Sequence, residues 1–301
     1  MNETNSMKGL STEGLICPLC GRSLSDGITT LFCASGHGFD IAAAGYCNLL
    51  RPGKKNNAKA GDDKDMVAAR GRFLSAGYYG KALDYIASQL EHSRVLVDAG
   101  CGDGYYTNGA AEKNPGLRAL GIDASKHATS AAAKSAHRLG FDEGGRVRYV
   151  TATLADMPVA DGYADAVLSM FAPCDYEEFA RVTEDDGILI IGSAGASHLR
   201  EMKAILYGEE NVRDNVPIRH GELAAPAGYE LVSRESVTYT TTIVGGDHIA
   251  ALYNMTPYRW RSPRSGEELL LALERLDVTV DIDFTVLRKT KITQDEEAVN
   301  G

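Results

Sequence analysis

Three cysteines and a histidine near the start of the chain have the spacing of a metal site. Cys17 and Cys20 form a C-x2-C pair, and Cys33 and His37 form a C-x3-H pair after a gap of twelve residues. A turn with two thiolates, followed by a turn with a thiolate and an imidazole, supplies the ligands of a tetrahedral Zn2+ ion. Four protein ligands leave no open coordination position, so we expect a structural ion. The alternative is four unrelated residues.

The stretch around these ligands is too small to fold by burial of apolar surface alone. At about 35 residues, it needs the metal to supply much of its folding free energy. Cys47 lies ten residues beyond His37. We interpret it as a small buried residue rather than as a further ligand.

A second candidate site is the loop D-A-G-C-G-D-G, from Asp98 to Gly104, which follows an apolar run. Gly100, Gly102 and Gly104 let the backbone pass close to a ligand. Nicotinamide and flavin enzymes use similar loops with the pattern G-x-G-x-x-G. An Asp at the strand end followed by three alternating glycines is instead typical of S-adenosylmethionine (SAM) methyltransferases, so we predict that the loop binds SAM.

Asp123 is the second part of this predicted cofactor site. It ends the next apolar run, in the sequence G-I-D-A-S-K, about twenty residues after the loop. A carboxylate at this position can accept hydrogen bonds from both ribose hydroxyls. A role as a helix N-cap is compatible with this one.

The segment Phe171–Cys174 follows the fourth predicted strand, where methyltransferases of this fold face the methyl acceptor. The candidate residues of this acceptor turn are Ala172, Pro173 and Cys174. Proline would hold a backbone carbonyl fixed toward the reacting group. Cys174 could act as a nucleophile, but no neighbouring base marks it as activated. Met170 and Phe171 could also be core residues.

Two further sets of residues have a chemical and a structural interpretation. Asp175, Glu177 and Glu178 follow the acceptor turn and could supply a general base, or they could form a solvated helix face. The segment Met255–Arg261 holds Trp260, the chain's one tryptophan, between arginines. It could be a stacking platform for a nucleobase, or Trp260 could lie in the core.

The elements that must position these residues alternate between strands and helices after Arg94. Strands are predicted over 95–97, 119–122, 147–150, 166–168 and 188–191, and helices over 126–139, 176–182 and 195–207. Continuous apolar strands separated by helices predict a parallel sheet that is covered on both faces. Alternating segments at 237–244 and 278–287, around a helix near 246–253, predict an antiparallel edge. Apolar spacing over 66–90, broken near Gly77, predicts two helices that cap this domain.

Composition excludes several classes of protein. The chain has 301 residues, 44% hydrophobic residues and a formal net charge of −10. Six cysteines, three of them in metal spacing, do not form a secreted disulfide scaffold. No apolar run reaches the roughly 18 residues of a membrane helix. We therefore expect a reduced, soluble, cytoplasmic protein that does not contact a membrane.

These observations predict five segments. They are a disordered N-terminus (1–14), a zinc-binding module (15–50), a linker (51–65), a SAM-dependent methyltransferase domain (66–290) and an acidic tail (291–301). Between Arg51 and Lys81 there are eight Lys or Arg against three Asp, although the protein as a whole is acidic. The predicted fold class is α/β: a Rossmann-like class I SAM methyltransferase with a mostly parallel seven-stranded sheet, an antiparallel edge and a small N-terminal zinc-binding module.

One combination of motifs in this order resembles a known family. The motifs are C-P-L-C, C-x3-H-x-F-D, G-Y-x-N-L-L, A-G-x-Y, D-x-G-C-G-x-G-Y-Y-T, A-P-C, H-L-x-E-x-K and M-T-P-x-x-W-R. Over roughly residues 15–290 the chain resembles the 23S ribosomal RNA guanine-N1-methyltransferases, which include macrolide-resistance enzymes. The departures are modest: Cys47 replaces an aliphatic residue, and 140–147 is slightly longer than typical.

The resemblance implies an activity and additional site residues. It implies structural zinc at Cys17, Cys20, Cys33 and His37, and cofactor contacts at Tyr79, Gly102, Asp103 and His198. The implied reaction transfers methyl from SAM to N1 of one guanine in a 23S rRNA hairpin loop near the macrolide site and peptide exit tunnel. A homodimer is left open.

Two other classes of function remain possible at this point. One is a small-molecule methyltransferase in which zinc stabilises an N-terminal cap. The other is a SAM-binding RNA chaperone without catalysis. The basic segment between Arg51 and Lys81 counts against the first, and methyl transfer to RNA would exclude the second.

Overall fold

The computed structural model describes residues 11–27, 29–51, 62–141 and 145–291. At the N-terminus, three short strands form an antiparallel sheet in the order β1-β2-β3. They are β1 (Leu24–Ser25), β2 (Thr30–Cys33) and β3 (Gly38–Asp40). The two turns that carry the cysteine pairs each contain a glycine in the left-handed region, Gly21 at φ 71° and Gly36 at φ 83°. A side chain there would strain the turn, so glycine keeps both turns tight.

A second, larger sheet forms the centre of the molecule, with the strand order β10-β11-β9-β8-β5-β6-β7-β4. The six strands from β9 to β4 are parallel, β11 is antiparallel to β9, and β10 is antiparallel to β11. The strands are β4 (Tyr46–Asn48), β5 (Val95–Ala99), β6 (Arg118–Asp123), β7 (Val147–Thr151), β8 (Ala164–Met170), β9 (Thr183–Ala194), β10 (Tyr229–Val244) and β11 (Arg275–Lys289).

The described sheet has eight strands rather than the predicted seven. The additional strand is β4, which leaves the N-terminal module and pairs with β7 from Tyr46 opposite Tyr149 to Asn48 opposite Thr151. The prediction was wrong because three residues are too few to show a strand periodicity. The antiparallel edge is confirmed, and β10 begins at Tyr229, eight residues before the predicted segment.

Helices cover both faces of the sheet. They are α1 (Lys64–Ser75), α2 (Gly80–Gln89), α3 (Tyr105–Lys113), α4 (Lys126–Arg138), α5 (Tyr176–Val182), α6 (Arg200–Tyr207), α7 (His220–Ala224), α8 (Gly246–Asn254) and α9 (Arg264–Leu271). Asp63, Ser125 and Asp175 cap α1, α4 and α5, because each side chain accepts a hydrogen bond from a first-turn amide. Among the described residues, no helix is long and apolar enough to cross a membrane.

The N-terminal module packs against the large sheet. Leu15, Leu24 and Leu31 are buried in the same apolar cluster as Val97 and Val167 of the central strands. Residues 11–14, which we expected to be disordered, also contact the sheet, because Arg148 Nη1 donates to the carbonyls of Ser11 and Glu13 at 2.8 and 2.9 Å. Residues 1–10 and 292–301, and thus nearly all of the predicted acidic tail, lie outside the described residues.

The parallel strands end at one edge of the sheet, and the predicted cofactor residues lie there. Strands β5, β6, β8 and β9 end at Ala99, Asp123, Met170 and Ala194. The loops that follow carry the glycine loop, the acceptor turn and His198. This is the edge at which open α/β sheets bind their ligands.

Candidate zinc centre and cofactor site

The four predicted zinc ligands come together in the N-terminal module. One ligand atom from each of Cys17, Cys20, Cys33 and His37 lies within 4.8 Å of the others. His37 contributes Nδ1, which is 3.5 Å from Cys17 Sγ and 3.3 Å from Cys33 Sγ. Cys20 Sγ is 3.6 Å from Cys33 Sγ.

These separations fit a tetrahedral zinc ion. With Zn–S bonds of about 2.3 Å and a Zn–N bond of about 2.0 Å, neighbouring ligand atoms should be roughly 3.5–3.8 Å apart. All four donors are of the types that zinc prefers, and the set is complete without water. A closed Cys3His sphere stabilises the fold and leaves no position for catalysis.

Cys47 lies outside this ligand set. It is fully buried, and its thiol lies 3.5 Å from the carbonyl oxygen of Asp40. Burial raises the pKa of this thiol to about 12. Cys47 is therefore a packing residue of β4, and it provides a non-ligand thiol for comparison with Cys17.

The glycine loop is in very close contact with two neighbouring elements. Gly100 has φ 90°, and a Cβ there would overlap the Cβ of Ala172 in the acceptor turn. Gly104 has φ 79°, and a Cβ there would lie 2.6 Å from the hydroxyl oxygen of Tyr149. The loop is fixed to β6, since the amide of Gly100 donates to the Ile122 carbonyl at 2.8 Å. Only glycine fits both positions, which brings the loop directly against the acceptor turn.

Asp98 is a buried carboxyl at the end of β5. Its Oδ2 accepts a hydrogen bond from Thr107 Oγ1 at 2.5 Å, and its Oδ1 is buried without a hydrogen-bond partner among the described residues. Burial raises the pKa of Asp98 to about 7, although the Thr107 hydroxyl opposes this. An unsatisfied buried acceptor is costly unless a donor or a cation reaches it. The ammonium or sulfonium of SAM would meet this need.

Asp103 and Asp123 complete the acidic lining of the loop. Asp123 accepts hydrogen bonds from the amides of Gly102 (3.0 Å) and Ser125 (2.7 Å), which fix its carboxylate. Each oxygen keeps lone pairs that could bind ribose hydroxyls. Burial raises the pKa of Asp103 to about 6 and also raises that of Asp123. This arrangement of fixed acceptors fits a polyhydroxylated, cationic ligand such as SAM.

Tyr79 and His198, which are 119 residues apart, form one hydrogen-bonded unit. Tyr79 Oη and His198 Nε2 are 3.1 Å apart, and the amide of Asp281 donates to His198 Nδ1 at 3.2 Å. Because Nδ1 accepts, the neutral ring carries its proton on Nε2 and donates it to Tyr79. Burial lowers the pKa of His198 to about 4, which keeps the ring neutral. The hydroxyl hydrogen of Tyr79 is then free to bind a ligand.

The role of Asp281 was not predicted from the sequence. Its carboxylate accepts hydrogen bonds from the amide of Ser197 at 2.9 Å and from Thr238 Oγ1 at 2.7 Å. It thus holds the loop that carries His198 against β11. Asp281 is one of three aspartates in β11, with Asp277 and Asp283, so its position in the sequence does not distinguish it.

Phe171 lies beside this unit in a strained conformation. Its φ is 53°, a region that a bulky side chain rarely adopts, and its side chain is 46% exposed. Its ring centre is 5.6 Å from that of His198 and 6.4 Å from that of Tyr79. A strained aromatic residue with an open face, next to a cofactor site, is a candidate for contact with substrate. The core interpretation of Phe171 is therefore wrong.

The other residues of the acceptor turn are not chemically activated. Burial raises the pKa of Cys174, whose thiol lies 3.8 Å from Ser169 Oγ. A thiol in this state is a poor nucleophile. Pro173 is exposed, and Ala172 lies against Gly100. These contacts fit a role in positioning rather than in covalent catalysis.

The candidate general bases have other partners or face solvent. Asp175 Oδ1 accepts from the Glu178 amide at 3.1 Å and caps α5. Glu178 accepts from the Met157 amide at 2.5 Å and forms a salt bridge with Arg181 at 2.6 Å. Glu177 is exposed. Two of these carboxylates stabilise the fold, and the third lies on the solvated helix face.

Trp260 lies on the surface, so its interpretation as a core residue is wrong. Its side chain is 65% exposed in the 3-10 segment Pro257–Trp260. The guanidinium carbon of Arg259 is 4.3 Å from the ring centre, so one ring face is covered by a cation. Arg259 Nη1 lies 3.8 Å from Asp63, just before α1. The platform is thus close to the helix that covers the cofactor loop.

Comparison with known proteins gives two family matches and several relatives. A zinc-ribbon model described as "RlmA, N-terminal" matches residues 15–59, and a model described as "Methyltransferase domain" matches residues 97–191. The chain is 32% identical to the 23S rRNA (guanine(748)-N(1))-methyltransferase of Streptomyces fradiae, over 91% of this chain and 96% of the relative.

Two other relatives carry the name 23S rRNA (guanine-N(1)-)-methyltransferase as a provisional assignment. YxjB of Bacillus subtilis (strain 168) is 28% identical over 90% of this chain and 95% of its own length. A protein of Micromonospora griseorubida is 32% identical over 62% of this chain and 68% of its own length.

The matched domains, together with the sheet and the two sites, define a SAM-dependent methyltransferase with an N-terminal zinc ribbon. This confirms the predicted fold class, SAM as cofactor and the structural zinc. The chain belongs to the 23S rRNA (guanine-N1)-methyltransferase family. The resemblance based on its motifs is therefore confirmed.

Proposed function

We propose that this enzyme transfers a methyl group from SAM to N1 of one guanine in a hairpin loop of 23S rRNA, near the macrolide site and peptide exit tunnel. The observation that carries the proposal is the direct packing of the acceptor turn on the cofactor loop, at Ala172 and Gly100. The relatives of this chain are named for the same reaction. A ribosomal substrate would also place the enzyme in the cytoplasm.

The chemistry requires alignment more than covalent participation by the protein. SAM supplies an electrophilic methyl group on its sulfonium. The protein must hold guanine N1 in line with that group and let the N1 proton leave. We assign the first task to the acceptor turn, in which Pro173 restricts the backbone and fixes the carbonyl of Ala172. This carbonyl would accept a hydrogen bond from the Watson–Crick edge of the base.

The target guanine must leave its stack, because N1 lies on the pairing edge. Phe171 offers an exposed aromatic face beside Tyr79 and His198. Stacking on an aromatic ring contributes about 1–3 kcal/mol per base. We propose that the extruded guanine stacks on Phe171, a role that the strained backbone there would serve.

RNA outside the target base would contact other parts of the chain. We propose that Trp260, backed by Arg259, stacks a neighbouring loop nucleotide. Lys54 and Lys55, which lie outside the described residues, would bind phosphates through the linker. The zinc module would recognise RNA shape, since residues 1–50 hold only two Lys or Arg against four Asp or Glu.

Primer extension across 23S rRNA tests the proposed function. RNA from a strain that lacks this protein should have lost a stop at one loop guanine, because N1 methylation blocks base pairing. The intact chain should restore the stop, and Asp98→Ala should not. Cys174→Ala is the matched control and should restore it, since the buried thiol takes no part in the reaction. An unchanged pattern of stops would contradict the proposal.

A further inference from the structure

The cofactor loop is surrounded by acidic groups and by one basic side chain from a distant helix. Asp98, Asp103 and Asp123 line the loop. The positive charge of Arg70 acts on both Asp103 and Asp123 and favours their ionised forms. In the sequence, Arg70 is one of the eight basic residues between Arg51 and Lys81. Its position in the structure gives it a more specific role.

Arg70 extends from α1 to the glycine loop at Gly102. Its Nη1 is 3.5 Å, and its Cδ 3.8 Å, from the point at which a Cβ on Gly102 would lie. The helix approaches so closely that a Cβ on Gly71 would be 3.2 Å from Asp103 Oδ2. Arg70 therefore faces the stretch of backbone on which the amino-acid end of SAM would lie.

The guanidinium is held in this position by two contacts. It forms a salt bridge with Asp62, and its Nη2 donates to the carbonyl of Met255 at 3.4 Å. Asp62 is itself fixed, because its carbonyl accepts from Ser125 Oγ at 2.7 Å. Ser125 caps α4 two residues after Asp123. The Arg70–Asp62 pair thus lies beside the cofactor loop, with a carboxylate already in place on the guanidinium.

SAM has charges that match this distribution. Its methionyl part carries a positive sulfonium, a positive ammonium and one negative carboxylate at neutral pH. The three loop carboxyls suit the two cations and the ribose hydroxyls. The carboxylate needs a cation, since next to acidic groups it would otherwise be repelled.

We propose that Arg70 binds the methionyl carboxylate of SAM, and that this carboxylate replaces Asp62 on the guanidinium. The planar guanidinium fork of arginine donates two parallel hydrogen bonds to a carboxylate, and this geometry makes such pairs strong. Arg70 is 28% exposed, so the pair is only partly screened by water. The assignment concerns cofactor binding and is independent of which RNA is methylated.

Calorimetric titration of the zinc-loaded full chain with two ligands tests this assignment. One ligand is SAM, and the other is decarboxylated SAM, which lacks only the carboxylate. Arg70→Gln should weaken SAM binding roughly 10- to 100-fold, as expected for loss of a charged hydrogen-bonded pair. It should change the affinity for decarboxylated SAM by less than about 3-fold.

Two further variants keep the test decisive. Arg72 lies on the same helix, and its guanidinium is 4.0 Å from Asp247 on the surface. Arg72→Gln should therefore leave the affinities for both ligands unchanged. Arg70→Lys keeps the charge without the fork, so it should weaken SAM binding less than Arg70→Gln does. It also tests the assignment if Arg70→Gln fails to fold.

Equal weakening of both ligands by the Arg70 variants, or no weakening of either, would overturn the assignment. That failure differs from a failure of the proposed function. If the enzyme binds SAM with the predicted dependence on Arg70 but methylates no guanine in 23S rRNA, only the proposed target is wrong.

Discussion

The zinc module and the cofactor site differ in how the chain assembles them. The four zinc ligands fall between Cys17 and His37, on two short turns that fold locally. The candidate cofactor site draws on residues far apart in the chain, with Tyr79, His198 and Asp281 in one hydrogen-bonded unit and Arg70 beside Gly102, and it forms only when the sheet and its helices are in place. Chemistry that depends on local spacing can be recognised from sequence, whereas chemistry that depends on topology requires the fold.

The two regions also differ in what stabilises them. The module has few buried apolar residues, among them Leu15, Leu24 and Leu31, and these pack on the large sheet rather than on one another alone. The cofactor site rests on strands whose side chains are almost wholly buried on both faces. Loss of the metal should therefore affect the module first, while a change in the loop should affect ligand binding first.

The largest effect is expected from Cys17→Ser. Loss of one ligand should release zinc and unfold the module, since metal binding there is a large part of its folding free energy. Zinc content by elemental mass spectrometry should fall from one equivalent, and limited proteolysis should cut within residues 15–50. Cys47→Ser should keep the zinc, because its thiol lies against the carbonyls of Phe39 and Asp40 and outside the ligand cluster. Full zinc retention by Cys17→Ser would mean that the ligand set is wrong.

The next effect is expected at the cofactor loop. In Gly100→Ala the new methyl group would overlap Ala172, and φ 90° would be strained. We expect SAM affinity to fall about 30-fold or more with zinc content unchanged. Gly77→Ala is the matched control, since φ is 82° but nothing lies within 4 Å. It should cost about 1 kcal/mol of stability and little affinity. Similar affinity losses in both variants would show that overlap is not the cause.

A smaller effect is expected in the pH dependence of stability. Burial holds the pKa of His198 at about 4, with Asp281 raising it and Lys203 lowering it. Between pH 6.5 and 4 the unfolded chain therefore binds a proton that the native chain does not. The free energy of unfolding should fall on acidification by up to about 1.4 kcal/mol per pH unit from this group.

The variant His198→Gln isolates this contribution. Glutamine can accept from the Asp281 amide and donate to Tyr79, but it does not titrate. Contributions of the zinc ligands, and of His220, whose pKa burial also lowers, are common to both proteins. Urea unfolding at pH 7, 6 and 5 should show a shallower decline for the variant. Identical slopes would mean that His198 is not buried as a neutral ring.

The smallest effect is expected from Trp260→Ala. Loss of one stacking platform should weaken binding of a 23S hairpin RNA roughly 5-fold, the lower end of what one stacked base contributes, and leave SAM affinity unchanged. Leu269→Ala is the matched control, because this side chain on α9 is equally exposed, at 63%, but has no aromatic face. Filter binding with labelled RNA measures the RNA affinity of both variants. Equal RNA affinities for the two variants would exclude the platform.

Much of the fold could be predicted because parallel strands buried on both faces are continuous apolar runs. The runs beginning at Val95, Ala119 and Val147 each correspond to an observed strand within two residues at either end. Strand β4 could not be predicted, because its three residues become a strand only by pairing with β7. The early start of β10 was missed because residues 230–236 are mostly exposed, Leu231 and Val232 included, and show no apolar alternation; this part is extended by its pairing with β11.

The candidate site was only partly predictable, for the same physical reason. The glycine loop, Asp123 and the zinc ligands are types of residue with recognisable spacing. Tyr79 and His198 were indicated mainly by the resemblance, and their shared hydrogen bond depends on Asp281. The strained backbone of Phe171 and the reach of Arg70 over Gly102 are properties of the folded chain. No pattern in the sequence encodes them.

Analysis of the methylated nucleoside tests the central claim most directly. Purified enzyme would be incubated with SAM carrying a labelled methyl group and with 23S rRNA from a strain that lacks this protein, and the RNA would then be digested. Mass spectrometry should find the label in 1-methylguanosine, in a single hairpin-loop fragment and at no more than one per RNA. Label in another nucleoside, or no label in RNA while small molecules are methylated, would contradict the account.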